Sequence, residues 1–110
     1  MSVILDKQIK FSLLVSRLIA KAFELGYGIT LGDAYRDPRC PYGSDVSLHK
    51  ERLAIDLNLF RREGEHWRFC SETEDHRELG EWWEQLDPDC AWGGRFKDGN
   101  HYSLKHNGRK

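Results

Sequence analysis

Apolar residues recur at helical spacing through Phe11, Leu14, Val15, Leu18, Ile19, Ala22 and Phe23, and Gly26 follows as a natural C-terminal stop. The pattern predicts an amphipathic helix laid on a flat partner. Ile29 to Tyr35 is rich in β-forming residues and is closed by Asp37-Pro38, which predicts a strand. Arg39 to Val46, with Pro41 and Gly43, reads as a loop. From Leu53 the period changes to two. Leu53, Ile55, Leu57 and Leu59 alternate with Ala54, Asp56, Asn58 and Phe60, so the aliphatic set is expected to face the core and Asp56 the opposite side. Arg61 to Glu65 is expected to turn as a hairpin into a strand around Trp67 and Phe69.

Ser71 and Glu74 have the spacing of a capping box. Beyond them Leu79, Trp82, Trp83 and Leu86 form a helical stripe that ends before Pro88, and tryptophans at that spacing belong to a core. A last strand over His101 to Leu104 places His101 and Ser103 on one face and Tyr102 and Leu104 on the other. The pattern as a whole predicts an α+β fold, a small antiparallel sheet with helices packed on one face, formed by a single domain over residues 1–110.

Composition narrows the classes without choosing among them. Enough hydrophobic residue is present, 39% with four tryptophans, to build a packed core. A net charge of -1 argues against a nucleic-acid partner, which calls for a basic excess. The apolar N-terminal run is broken by Arg17 and Lys21, so neither a signal-peptide core nor a membrane span is expected. Cys40, Cys70 and Cys90 are widely spaced and odd in number, which fits free thiols better than a disulfide framework.

The polar residues carry more. His49 falls just before the alternating strand, Asp56 lies on its non-core face, and His101 opens another strand on a polar face. Two imidazoles and one carboxylate from adjacent strands could meet a single ion, and zinc takes such donors at about 2.0–2.2 Å. Asp98 stands three residues before His101, within reach of a water at such an ion; alternatively, it is a turn aspartate that satisfies backbone N–H groups. Arg36 ends a strand, and taken alone it reads as a surface ion-pair partner.

Two stretches resemble a known family. Ser47-Leu48-His49-Lys50-Glu51-Arg52-Leu53-Ala54-Ile55-Asp56, followed by Trp92-Gly93-Gly94-Arg95-Phe96 and Asp98-Gly99-Asn100-His101-Tyr102, resembles the VanY-type zinc peptidases of bacterial cell walls. These include D-alanyl-D-alanine carboxypeptidases and the L-alanyl-D-glutamate endopeptidases used as phage endolysins, and they share the hedgehog/DD-peptidase fold. The resemblance runs from about Gly26 to the C-terminus. It implies that His49, Asp56 and His101 bind zinc, that Asp98 is the catalytic carboxylate, and that Arg36 binds substrate and stabilises the oxyanion. Ser47 matches a serine that supports the first ligand, and with Trp92 it is assigned to the substrate side of the site. Three positions depart from the pattern: Arg52 and Ala34 stand where glycine is frequent, and Asp98 where many members carry glutamate. The segment between Arg36 and Ser47 is also short.

The resemblance implies a zinc-dependent peptidase acting on peptidoglycan stem peptides. It would be a monomer without stable membrane insertion, made in the cytoplasm and reaching the wall or periplasm after phage-mediated permeabilisation or by a dedicated export route. Which bond is cut, D-Ala-D-Ala or L-Ala-D-Glu, stays open. A non-catalytic wall-binding or virion-structural module of the same fold is the competing reading. A structural zinc held by Cys70, His76 and Cys90 ranks last, because no known spacing supports it.

Overall fold

The computed structural model describes residues 3–35 and 48–108. Its elements, in chain order, are α1 (Val3–Glu24), β1 (Tyr27–Leu31), β2 (Ala54–Glu63), β3 (His66–Phe69), α2 (Arg77–Leu86), β4 (Cys90–Trp92) and β5 (His101–Leu104). Single 3₁₀ turns cover Leu48–Glu51, Thr73–His76 and Gly93–Phe96. The strands form one antiparallel sheet in the order β1-β2-β5-β4, with β3 also paired to β2, and the α+β class expected from the pattern is what is seen.

β2 organises the sheet. One edge pairs with β1 from Arg61 down to Leu57; the other pairs with β5 at Ala54–Asp56 and with β3 at Phe60–Glu63. Its burial alternates as the period of two predicts. Ile55, Leu57 and Leu59 are buried with Leu53, while Asp56, Asn58 and Phe60 lie on the more open face. Both helices feed the same core from one side of the sheet: Phe11, Leu14 and Leu18 of α1 and Leu79 and Trp83 of α2 join the β2 aliphatics in one cluster. Trp83 sits at its centre, edge-on to Phe11 and to Tyr102, and its indole N–H donates to the Ala91 and Ser103 carbonyls. The tryptophan stripe is core, as expected, with Trp82 only partly covered.

Several element boundaries differ from those expected, each for a local reason. α1 begins at Val3 rather than near Phe11, and Phe23 points outward, 56% exposed, off the buried stripe. Gly26 does end the helix, at φ +91°. β1 covers Tyr27–Leu31 instead of Ile29–Tyr35, because regular pairing stops at a bulge. There Gly32 N–H donates to the Asp56 carbonyl while Asp56 N–H donates to the Asp33 carbonyl, so two residues oppose one. Arg61, Arg62 and Glu63 continue β2 rather than turn. The Arg62 guanidinium stacks on Trp67, Glu63 pairs with Arg68, and the reversal is confined to Gly64-Glu65, with Gly64 at φ +61°. The capping interaction lies one residue beyond the expected Ser71–Glu74 pair: Glu72 N–H donates to the Asp75 carboxylate at 3.1 Å. Glu74 is held instead by two hydrogen bonds from Arg77. The expected loop Arg39–Val46 lies outside the described residues. Among the described residues no helix is long and apolar enough to cross a membrane.

Candidate metal centre

His49 sits on the 3₁₀ turn Leu48–Glu51, and backbone hydrogen bonds decide how that turn ends. Leu53 N–H reaches back to the Leu48 carbonyl at 2.9 Å, and Arg52 N–H to the His49 carbonyl at 3.3 Å. With Arg52 in the left-handed region at φ 57°, this is a Schellman motif, completed by the buried pair Leu48 and Leu53. Arg52 occupies the position where the resembling family favours glycine. It keeps the glycine-like backbone conformation, and its guanidinium stacks on the Tyr35 ring at 4.4 Å. A β-branched side chain is poorly suited to that conformation. Arg52→Val is therefore expected to lower stability by about 1–2 kcal/mol and weaken metal binding through His49, whereas Arg52→Asn stays near wild type. Thermal denaturation with and without zinc reads both effects, and equal stability of the two variants would remove the left-handed turn from the account.

Asp56 and His101 are direct partners across β2 and β5. The bulge at Gly32–Asp33 grips the Asp56 backbone from the other edge, and a Cβ at Gly32 would come within 2.9 Å of the Asp56 carbonyl oxygen. Asp56 Oδ1 stands 3.3 Å from His49 Nε2 and 3.7 Å from His101 Nδ1. One donor atom from each of the three residues falls within 4.8 Å of the other two. Tetrahedral ligands at zinc distances are about 3.4 Å apart, so the spacing suits a single small cation. The imidazoles are edge-on with centroids 5.1 Å apart, and Phe96 packs edge-on against His101. Burial works to raise the Asp56 carboxyl. Hydrogen bonds with His101 and His49, and the charge those rings can carry, outweigh it and hold the carboxyl at about 2. The carboxylate is thus anionic at physiological pH, as a metal donor must be.

The Asp98 segment repeats the device that ends the His49 turn. The 3₁₀ turn Gly93–Phe96 closes with Asp98 N–H on the Gly93 carbonyl at 2.9 Å and Lys97 N–H on the Gly94 carbonyl at 3.4 Å, Lys97 being left-handed at φ 62°. His101 N–H then donates to the Asp98 carbonyl, and Leu57 N–H to the Asn100 carbonyl, which ties the segment to β2. Gly93 is required by crowding: a Cβ there would lie 2.2 Å from the Asp98 carbonyl oxygen and 2.6 Å from His101 Cβ. The Asp98 carboxylate ends 3.9 Å from His101 Nδ1 and is half exposed, whereas His49 and His101 are only 4% and 6% exposed. The donor group is thus closed on the protein side, with the Asp98 carboxylate at its rim.

Of the residues expected at the site, His49, Asp56, His101 and Asp98 come together. Arg36 and Ser47 lie outside the described residues. Trp92 does not face a substrate: it is 1% exposed, with its ring against Gly80 and Gly94, and its indole N–H donates to the Gly99 carbonyl at 2.7 Å. It braces the Asp98 turn from within the core, a correction to its expected role. Cys70, His76 and Cys90 do not form the structural zinc site of the last-ranked reading. Among the described residues only His49, Asp56 and His101 converge as a metal-binding group, and burial pushes the Cys90 thiol up to about 12. Sequence reasoning did not find the cleft beside Asp98 or place Lys97 and His76 on its wall, and no motif marks them. No protein-family model matches this chain, and a search of curated proteins finds no match.

Proposed function

We propose that the protein is a zinc-dependent peptidase of hedgehog/DD-peptidase type that hydrolyses peptide bonds in peptidoglycan stem peptides. One observation carries the reading: His49, Asp56 and His101 converge on a space the size of one cation, with the Asp98 carboxylate beside it on the exposed side. A structural zinc site closes its fourth position with a further protein donor. The half-exposed Asp98 carboxylate beside the three donors, which a structural site does not need, favours a catalytic site over a metal-stabilised module. The donor chemistry, two imidazoles and a carboxylate, suits zinc.

A zinc ion held there supplies Lewis acidity and lowers the cost of deprotonating water at neutral pH. Asp98 then has the part of general acid and base. It stands off the donor group and takes the proton of the attacking water, then delivers it to the leaving amine. Gly93 and Trp92 keep the Asp98 turn from shifting, since the one leaves no room behind the carbonyl and the other bonds the turn at Gly99. By the resemblance of its Ala34-Tyr35-Arg36 segment, Arg36 would offset charge on the tetrahedral oxyanion.

The test is a digestion of purified peptidoglycan by zinc-loaded and chelator-treated protein, with released fragments identified by mass. New termini at D-Ala-D-Ala or L-Ala-D-Glu bonds are expected only with metal present, and the fragment masses name the bond. A fully zinc-loaded protein that releases nothing would overturn the reading.

A further inference from the structure

Along one edge of β2 the two partner strands diverge. β5 leaves after Asp56 and β3 ends before Cys70, so between them β2 is met by single bonds, Leu57 N–H to Asn100 and Cys70 N–H to the Leu59 carbonyl. The gap is a cleft of about 200 Å³, open to solvent, whose wall includes Asp98, Lys97, Glu72, Thr73 and His76. It shares Asp98 with the metal centre, and nothing in the proposed mechanism uses its other residues.

His76 marks what the cleft can hold. Its ring is 3% exposed, and its Nδ1 lies 2.8 Å from the hydroxyl of the fully buried Tyr102. A buried phenol keeps its proton at neutral pH and must place it on an acceptor. Among the described residues His76 Nδ1 is the acceptor it meets, so Tyr102 donates, and the neutral imidazole carries its hydrogen on Nε2. Burial holds the His76 imidazole at about 4, consistent with a neutral ring. The cleft therefore has a buried, neutral N–H donor in its wall. Lys97, the left-handed residue of the Schellman motif, contributes a cationic side chain to the same wall. The carboxylates of the wall are Glu72 and Asp98.

We infer that this cleft receives the leaving residue of the substrate, with its amine beside Asp98 and its free carboxylate on His76 Nε2–H and Lys97. The inference rests on the peptidase reading, in which Asp98 protonates the leaving amine. Both candidate bonds release a residue of this kind: a carboxypeptidase liberates a terminal residue with a free carboxylate, and glutamate keeps one carboxyl whichever of its two is linked onward. The cleft thus selects for a carboxylate next to the scissile bond, whichever bond is cut.

The experiment titrates the zinc-loaded protein with D-alanine, D-glutamate and D-alaninamide, followed by ¹⁵N–¹H spectra that include the histidine ring nitrogens. Saturable shifts are expected at Thr73, His76, Gly99 and Asn100. His76 should be protonated on Nε2, and D-alanine should bind about tenfold more tightly than D-alaninamide, the equivalent of one charge-assisted hydrogen bond. Lys97→Asn, a surface change that tolerates the left-handed backbone, is expected to lower D-alanine affinity about tenfold and leave D-alaninamide unchanged. His76→Gln tests the buried donor in the same way. Equal binding of acid and amide, shifts centred away from the cleft, or an Nδ1-protonated His76 would each overturn the inference. Carboxylate-selective binding without peptidoglycan hydrolysis would count against the peptidase reading alone. Hydrolysis indifferent to amidation of the leaving residue would count against the cleft alone.

Discussion

Asp98→Asn is expected to retain zinc, fold and thermal stability while losing about 10²-fold or more in turnover on peptidoglycan fragments. The exchange keeps the size and much of the hydrogen-bonding capacity of the side chain, and the turn that carries it is set by main-chain bonds to Gly93 and from His101. Only the ability to accept and return a proton is removed. The loss should fall on kcat rather than on KM, since in the proposed mechanism Asp98 acts on the reacting atoms, and it does not belong to the donor group. Single-turnover kinetics of the zinc-loaded variant, with metal content measured on the same sample, make the comparison. Near-normal turnover would leave Asp98 as a turn aspartate and return the choice between enzyme and binding module to the beginning.

His101→Ala is expected to abolish zinc binding at micromolar metal and, with it, the thermal stabilisation that zinc confers on the wild type. Metal held only by the folded state adds its binding free energy to stability, about 4 kcal/mol when free metal exceeds the dissociation constant a thousandfold. For a domain of this size that corresponds to a shift on the order of 10 °C. The metal-free variant should melt modestly below metal-free wild type, because the lost ring no longer bonds the Asp56 carboxylate, although it touches the His49 and Phe96 rings rather than the central cluster around Trp83. Elemental analysis and calorimetry with and without zinc separate the two effects. Full zinc occupancy in His101→Ala would show that the ion, if bound, lies elsewhere.

The parts of this site legible in the sequence are those governed by short-range periodicity. Alternation from Leu53 to Phe60 placed Asp56 away from the core, and the opening of a strand at His101 placed a second donor on the same polar side. Local competition was harder to read. Glu74 has the spacing to cap Ser71, but Arg77, three residues on, captures its carboxylate, and the cap moves to Glu72 and Asp75. The strand begun at Ile29 was expected to run to Tyr35, yet the bulge opposite Asp56 ends it, and nothing in the local composition distinguishes a bulge from a continuing strand. Trp92 stands in the same stretch as Asp98 and His101, but the absent side chains of Gly80 and Gly94 make room for its ring in the core. The cleft was invisible for a different reason: it exists because β3 and β5 leave β2 at different points, a property of three strands jointly.

β5, the last of the described strands, is inserted between β2 and β4 rather than added at an edge. Its pairing with β2 is what brings His101 opposite Asp56. Joining β4 to β2 and bringing His101 to Asp56 are therefore one event, the docking of β5. Until β5 docks, β2 and β4 have no common partner, and His49 and Asp56 form an incomplete donor pair that holds metal weakly. Contacts between residues so distant in the chain close slowly, which makes β5 docking the expected rate-limiting step. A chain lacking this strand would keep the pairings of β2 with β1 and β3 but would lose both the link to β4 and the histidine opposite Asp56.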